Sequence, residues 1–197
     1  ADVALLFVAM PAYKETEGRD RVDLDLSAQQ VRLIQAVTAV QPRTVVIVSS
    51  GSAVRMTPWL DHAAAIVETY LAGQAAGGAI AEMLFGEVNP SGRLAETFPL
   101  ELAHTPAFLD FPGDHDTVRY GEGIYIGYRW YDARHLPVQF PFGHGLSYTA
   151  FAYGPVELSA SRITADDTLR IRVPVTNVGD RAGSEVVQLY VHHRASS

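Results

Sequence analysis

The amino-acid sequence predicts an α/β fold, a mostly parallel sheet with flanking helices, followed by the opening strands of an all-β sandwich. Three observations carry this. Over the first hundred residues, short apolar runs alternate with helical periods, the pattern of βαβ units around a buried sheet. The runs VALLFVAM and TVVIVSSG are apolar at successive positions, as strands covered on both faces are. Beyond about residue 153 the pattern changes to strict alternation of apolar and polar residues, which suits strands with one wet face.

Each element follows from local chemistry. VALLFVAM (residues 3–10) is the first strand. Ser27 with Gln30 forms a capping box, and Val31, Ile34, Val37 and Val40 recur at helical spacing until Pro42 stops the helix. TVVIVSSG is the second strand, a helical turn spans Pro58 to His62, and AAIVETYL is the third strand. The segment GQAAGGAIAEMLFG predicts a small-residue helix whose glycines let it pack closely on the sheet, with Gly86 as its C-cap. NPSG (residues 89–92) is expected to turn and close this block.

From Arg93 to Phe151 aromatic, Gly and Pro residues dominate, predicting a loop-rich segment with short extended pieces against the α/β core. In the tail, Leu169, Ile171, Val173 and Val175 alternate, a turn falls at Asn177 to Gly179, and the chain returns through Val186 to Val191. The expected divisions are therefore 1–108, 109–152 and 153–197. Apolar runs lie close to both ends, so the chain is expected to be a piece of a larger protein.

Composition narrows the chemistry. A net charge of −7 gives no electrostatic attraction for nucleic acid or an anionic membrane surface. No apolar run approaches the roughly 18 residues of a membrane-spanning helix. With no cysteine, disulfides, thiolate nucleophiles and Cys-type zinc sites are excluded. The G-x-G-x-x-G of a dinucleotide site, the phosphate-binding G-x-x-x-x-G-K-[ST] loop and the G-x-S-x-G elbow are all absent. Neighbours His192 and His193 would point to opposite faces of a strand and the other histidines are scattered, so neither a metal nor any cofactor is expected.

What remains is AYKETEGRDR (residues 12–21), with six charged side chains in its last eight positions. Its carboxylates Glu15 and Glu17 follow the first strand, where open α/β sheets place functional loops. Charge content alone describes a solvated loop in which Asp20 and Arg21 pair locally. The rings of Tyr125, Tyr128, Trp130, Tyr131 and Trp59 could stack on a ligand, but their apolar surroundings suit packing better.

Resemblance adds the function. KETEGRDRVDLDLSAQQVRLIQAV, TVVIVSSGSAV, GGAIAEMLFGEVNPSGRLAETFP, YGEGIYIGYRWYD and FPFGHGLSYTAF, in this order, resemble the C-terminal part of glycoside hydrolase family 3, the β-glucosidase and β-xylosidase family. The tail NVGDRAGSEVVQLYV is similar to the fibronectin type III-like domain found in many members. The resemblance implies an α/β sandwich within a retaining glycosidase acting on a β-glucoside or oligosaccharide. It places the Asp nucleophile on an N-terminal (β/α)8 barrel, which this chain lacks, so the chain alone is expected to be inactive.

The resemblance also implies that the acid/base comes from the loop after the first strand, in patterns similar to G-E-W-E-S-E-G-x-D-R. Glu15, Thr16, Glu17, Gly18, Asp20 and Arg21 match that pattern, while its G-E pair falls on Ala12 and Tyr13. In several members the earlier Glu is the acid/base, and a phenol with a pKa of about 10 cannot replace it at neutral pH. The expected acid is therefore Glu15 first and Glu17 second. The competing reading is a non-catalytic carbohydrate-binding or structural module in which Tyr13 records a lost acid.

Overall fold

The computed structural model describes residues 1–192. In chain order the elements are β1 (Ala4–Ala9), α1 (Ala28–Val40), β2 (Thr44–Ser49), β3 (Ala65–Glu68), α2 (Ala76–Leu84), β4 (Phe98–Pro99), α3 (Tyr128–Arg134), β5 (Val138–Phe140), β6 (Phe151–Tyr153), β7 (Glu157–Leu158), β8 (Ile171–Arg172) and β9 (Val175–Asn177). The chain divides into two compact units. The first contains Ala1–Ala76 and Leu94–His144, the second Gly77–Arg93 and the chain from Gly145 onward.

In the first unit β1, β2 and β3 form a parallel sheet in that order, with Leu6, Val46 and Ile66 in register across it. Their side chains share one face with Val8 and Val48, and α1 lays Ile34 against it. α1 starts where the sequence places it. Ser27 Oγ accepts from the Gln30 amide, Gln30 reaches back to the Ser27 amide, and the Gln30 side-chain amide also donates to Ala9 O at 2.9 Å. The capping box thus ties the helix start to the end of β1. Val54, Met56, Trp59 and Phe98 complete the core.

The other sheet face is less covered. Leu5 and Phe7 of β1 are 47% and 63% exposed, while Ile47 beside them on the central strand is buried. Within this chain β1 is therefore covered on one face only. β3 stops at Glu68, short of Leu71, because Tyr70 takes a left-handed backbone conformation, φ 50°, that no strand continues through.

The aromatic segment holds a helix as well as the expected extended pieces. Tyr128–Arg134 coils as α3 between Gly127 and His135, both at positive φ. Four aromatic residues between 125 and 131 read as extended, yet Tyr131 is buried and the Trp130 indole donates to His104 O at 2.9 Å. Tertiary burial overrides the weak helix preference of these side chains. Tyr128 stacks on Phe142, and Trp59 is fully buried, so these rings serve packing. β5 pairs antiparallel with β4.

In the second unit α2 ends at Gly86, φ 76°, as the sequence predicts. Among the described residues a Cβ added at Gly77 or Gly78 would meet nothing within 4 Å. NPSG makes no hydrogen-bonded turn. Asn89 instead accepts from Ser147 Oγ at 2.9 Å and the Tyr148 amide at 2.8 Å, and donates to Ala182 O at 3.0 Å. The alternating stretch of the tail is two strands, because Pro174 lacks the donor to continue a ladder. β8 pairs with β7 and β9 with β6, both antiparallel. Val186 to Val191 forms no strand: no partner strand runs beside it among the described residues.

Candidate functional site

The loop after β1 is built on a backbone turn in which Pro11 O accepts from the amides of Lys14 at 2.8 Å and Glu15 at 3.3 Å. Lys14 then crosses to Asp23, at 2.7 and 2.9 Å from its two oxygens, and to Asp25 O at 3.2 Å. Burial pushes the Asp23 carboxyl up, but the Lys14 ammonium and the Asp25 amide outweigh it and hold Asp23 below the ordinary carboxylate range. The base of the loop is thus closed by charge-assisted hydrogen bonds.

Glu15 turns inward. Its Oε1 accepts from the Gly51 amide at 2.8 Å and lies 3.5 Å from Arg21 Nη1, with the side chain only 12% exposed. Gly51 belongs to the loop after β2, so Glu15 bridges two neighbouring strand ends. Arg21 engages the same loop, donating through Nη1 to Ser52 Oγ and through Nη2 to Ala53 O at 3.3 Å. Residues 15 and 21 are therefore fastened to one short stretch, Gly51 to Ala53.

Glu17 lies at the tip between them and is exposed. A bridge between Thr16 and Arg19 closes the tip, and Gly18 at φ 81° supplies the left-handed residue this tight reversal needs. Among the described residues the Glu17 carboxylate has no hydrogen-bond or ion-pair partner. Around it opens a shallow depression of about 380 Å³, lined by Glu15, Glu17, Arg19, Asp20, Arg21 and Leu71. Tyr13 is exposed outside that lining, as is Ala12. Asp20 and Arg21 form no salt bridge, so the expected local pairing is replaced by the pairing of Arg21 with Glu15.

Sequence reasoning missed the layer beneath. Glu68 ends β3 and receives the Tyr70 amide at 2.8 Å and Ser50 Oγ at 3.3 Å. Burial pushes its carboxyl up to about 7. Burial also raises Glu96, with the Ala53 backbone and the Arg21 charge pulling it back. The polar SSGS after β2 was the available signal for this layer. Pairing it with Glu15 requires the parallel register, which brings Ala9 and Ser49 side by side.

No group of three His, Asp or Glu side chains among the described residues is arranged to hold a metal ion. Of the two adjacent histidines, His193 lies outside the described residues.

Residues 1–148 match the model of the glycosyl hydrolase family 3 C-terminal domain. The chain belongs to this family. Over the full length of the chain it is 49% identical to thermostable beta-glucosidase B of Acetivibrio thermocellus, covering 26% of that protein. It is 41% identical to an exo-alpha-(1->6)-L-arabinopyranosidase of Bifidobacterium longum, over 97% of this chain and 25% of that one. Among solved structures, the family 3 beta-glucosidase of Bifidobacterium adolescentis superposes with a TM-score of 0.85 at 43% identity, over 90% of this chain and 26% of that one. The chain thus spans about a quarter of the length of these relatives. The α/β sheet with its helices is the C-terminal domain fold of family 3.

Proposed function

We propose that this chain is the C-terminal portion of a retaining β-glycosidase, that its substrate is a β-glucoside, and that Glu17 is the general acid/base. One observation carries the assignment: Glu15 is held by the Gly51 amide and faces Arg21, whereas Glu17 sits exposed at the tip of the same loop. A general acid must reach the glycosidic oxygen, and a carboxylate committed to a backbone amide beside a guanidinium is poorly placed to do so. The geometry therefore favours Glu17 over Glu15, reversing the order suggested by resemblance alone.

In retaining chemistry two carboxyls stand about 5 to 5.5 Å apart. Protonated Glu17 gives its proton to the leaving oxygen as a separate nucleophile takes the anomeric carbon. Glu17 then removes a proton from water as water displaces the enzyme carboxylate. The nucleophile belongs to a (β/α)8 barrel on another part of the protein, so this segment supplies half of the machinery. Residues 153–197 are proposed as the opening of a fibronectin type III-like domain, in keeping with the short antiparallel pairs β6–β9 and β7–β8. The names of most relatives support a glucoside, while the arabinopyranosidase at 41% identity argues that sugar choice is made outside this segment.

The test is Glu17→Gln in the full-length enzyme. Hydrolysis of a phenyl β-glucoside should fall by about two to four orders of magnitude, the usual share of acid catalysis. Azide with a dinitrophenyl glucoside should restore turnover and yield the glycosyl azide. Unchanged turnover would remove Glu17 from the mechanism, and a loss of hydrolysis with azide rescue in Glu15→Gln would return the role to Glu15.

A further inference from the structure

We infer that Arg21 is a positioning residue for the acid: with Glu15 it forms a two-point clamp that fixes where the loop tip carrying Glu17 points. The inference rests on the reading of Glu17 as acid/base.

The clamp is visible in the contacts. Glu15 and Arg21 flank the tip, and both reach across to the loop after β2, Glu15 to the Gly51 amide and Arg21 to Ser52 Oγ and Ala53 O. The two side chains also face each other at 3.5 Å, and both are largely buried, 12% and 15% exposed. Residues 16–20 between them are all exposed and are braced internally by the Thr16–Arg19 bridge and a hydrogen bond from Thr16 Oγ1 to Glu17 O at 3.4 Å. Without the clamp this tip would swing about its two ends. With it, the tip is seated on the rigid central strand of the sheet, which runs into Gly51 through Ser49 and Ser50.

Arginine suits the task and lysine does not. A planar guanidinium with separated donors can hold a hydroxyl and a carbonyl of adjacent residues while facing a carboxylate, whereas an ammonium offers a single point of charge. Stabilisation of the fold does not require such a fork. What the fork fixes is orientation, and displacing a catalytic group by about 1 Å can cost on the order of 10²-fold in rate.

A positioning role leaves a signature that a purely structural role does not. Proton donation matters most when the leaving group is poor, so misplacing the acid should slow cleavage of poor leaving groups selectively. The experiment measures kcat/KM of the full-length enzyme on a series of aryl β-glucosides from dinitrophenyl to phenyl. Arg21→Ala should lose about 10- to 100-fold on phenyl glucoside and no more than about 3-fold on dinitrophenyl glucoside, which leaves without help. Arg21→Lys should fall between wild type and Arg21→Ala. Ser52→Ala, which removes one acceptor with little risk to folding, should steepen the dependence in the same sense and carries the test if Arg21→Ala does not fold.

Equal losses across the series, or no loss, in Arg21→Lys and Ser52→Ala would overturn the clamp. Glu17→Gln in the same series separates the two failures. A steep dependence for Glu17→Gln with flat behaviour for the Arg21 and Ser52 variants defeats the clamp alone. A flat Glu17→Gln series defeats the acid assignment, and the clamp falls with it.

Discussion

The carboxylate of Glu68 accepts the amide of Tyr70 at 2.8 Å, closing the left-handed step with which β3 ends. Burial holds this carboxyl up near 7 against an unfolded value near 4.5. The folded state therefore keeps a proton that the unfolded state releases, so stability is fully present below about pH 4.5 and is lost as pH rises through 7. The loss is on the order of 3 kcal/mol at most. Glu68→Gln keeps an acceptor for Tyr70 and a donor for Ser50 without a charge. Thermal unfolding from pH 4.5 to 8 should show the variant matching wild type at the acid end and exceeding it at the alkaline end. A parallel decline in both proteins would remove Glu68 as the source.

Trp59 fills the core beside Met56 and Val54, and its indole N–H is buried with no partner among the described residues. Trp59→Ala should cost about 3 to 5 kcal/mol through lost packing and the cavity left behind. Trp59→Phe loses some volume but also removes an unsatisfied donor, so it should cost about 1 to 2 kcal/mol. Urea denaturation of the two variants measures the gap; equal costs would mean that the indole N–H has a partner in solution.

Ser27 caps α1 and is itself bonded by Gln30. Ser27→Ala should destabilise by about 1 kcal/mol, and Ser27→Gly by only a few tenths. Because Gln30 also holds Ala9 O at 2.9 Å, Gln30→Ala should cost more than Ser27→Ala, and chemical denaturation of the two variants would expose a reversed order.

Arg55 meets Asp25 through two hydrogen bonds, 2.6 and 2.9 Å, on a surface where each side chain is more than a third exposed. Their coupling in a double-mutant cycle should lie below about 1 kcal/mol, with solvent screening taking most of the Coulomb energy. It should shrink further in molar salt. A coupling of several kcal/mol would show that water is excluded from this pair.

How far the sequence could be read depends on how local the determinant is. The capping box, the Pro42 stop and the Gly86 cap each lie within a few residues of what they control, and each stands as read. α3 could not be read, because its aromatic residues prefer extended backbone and only the burial of Tyr131 and the bond from Trp130 to His104 make a helix pay. The charged loop after β1 was legible as a place, but the different settings of its two glutamates were not. What separates Glu15 from Glu17 is an amide at Gly51, brought near only by the pairing of β1 with β2. Tyr70, whose turn ends β3 early, carries no glycine or asparagine to announce a left-handed residue.

The outward row of β1 has a practical meaning. Leu5 and Phe7 stand about half out of water on a strand type that proteins ordinarily cover on both sides. A protein chemist who expresses these residues alone is handling a sheet with one adhesive side. Such a preparation should bind hydrophobic dyes and clump as its concentration rises, and replacing Phe7 by a polar residue should improve its solubility without altering the side chains that tether the loop following the same strand.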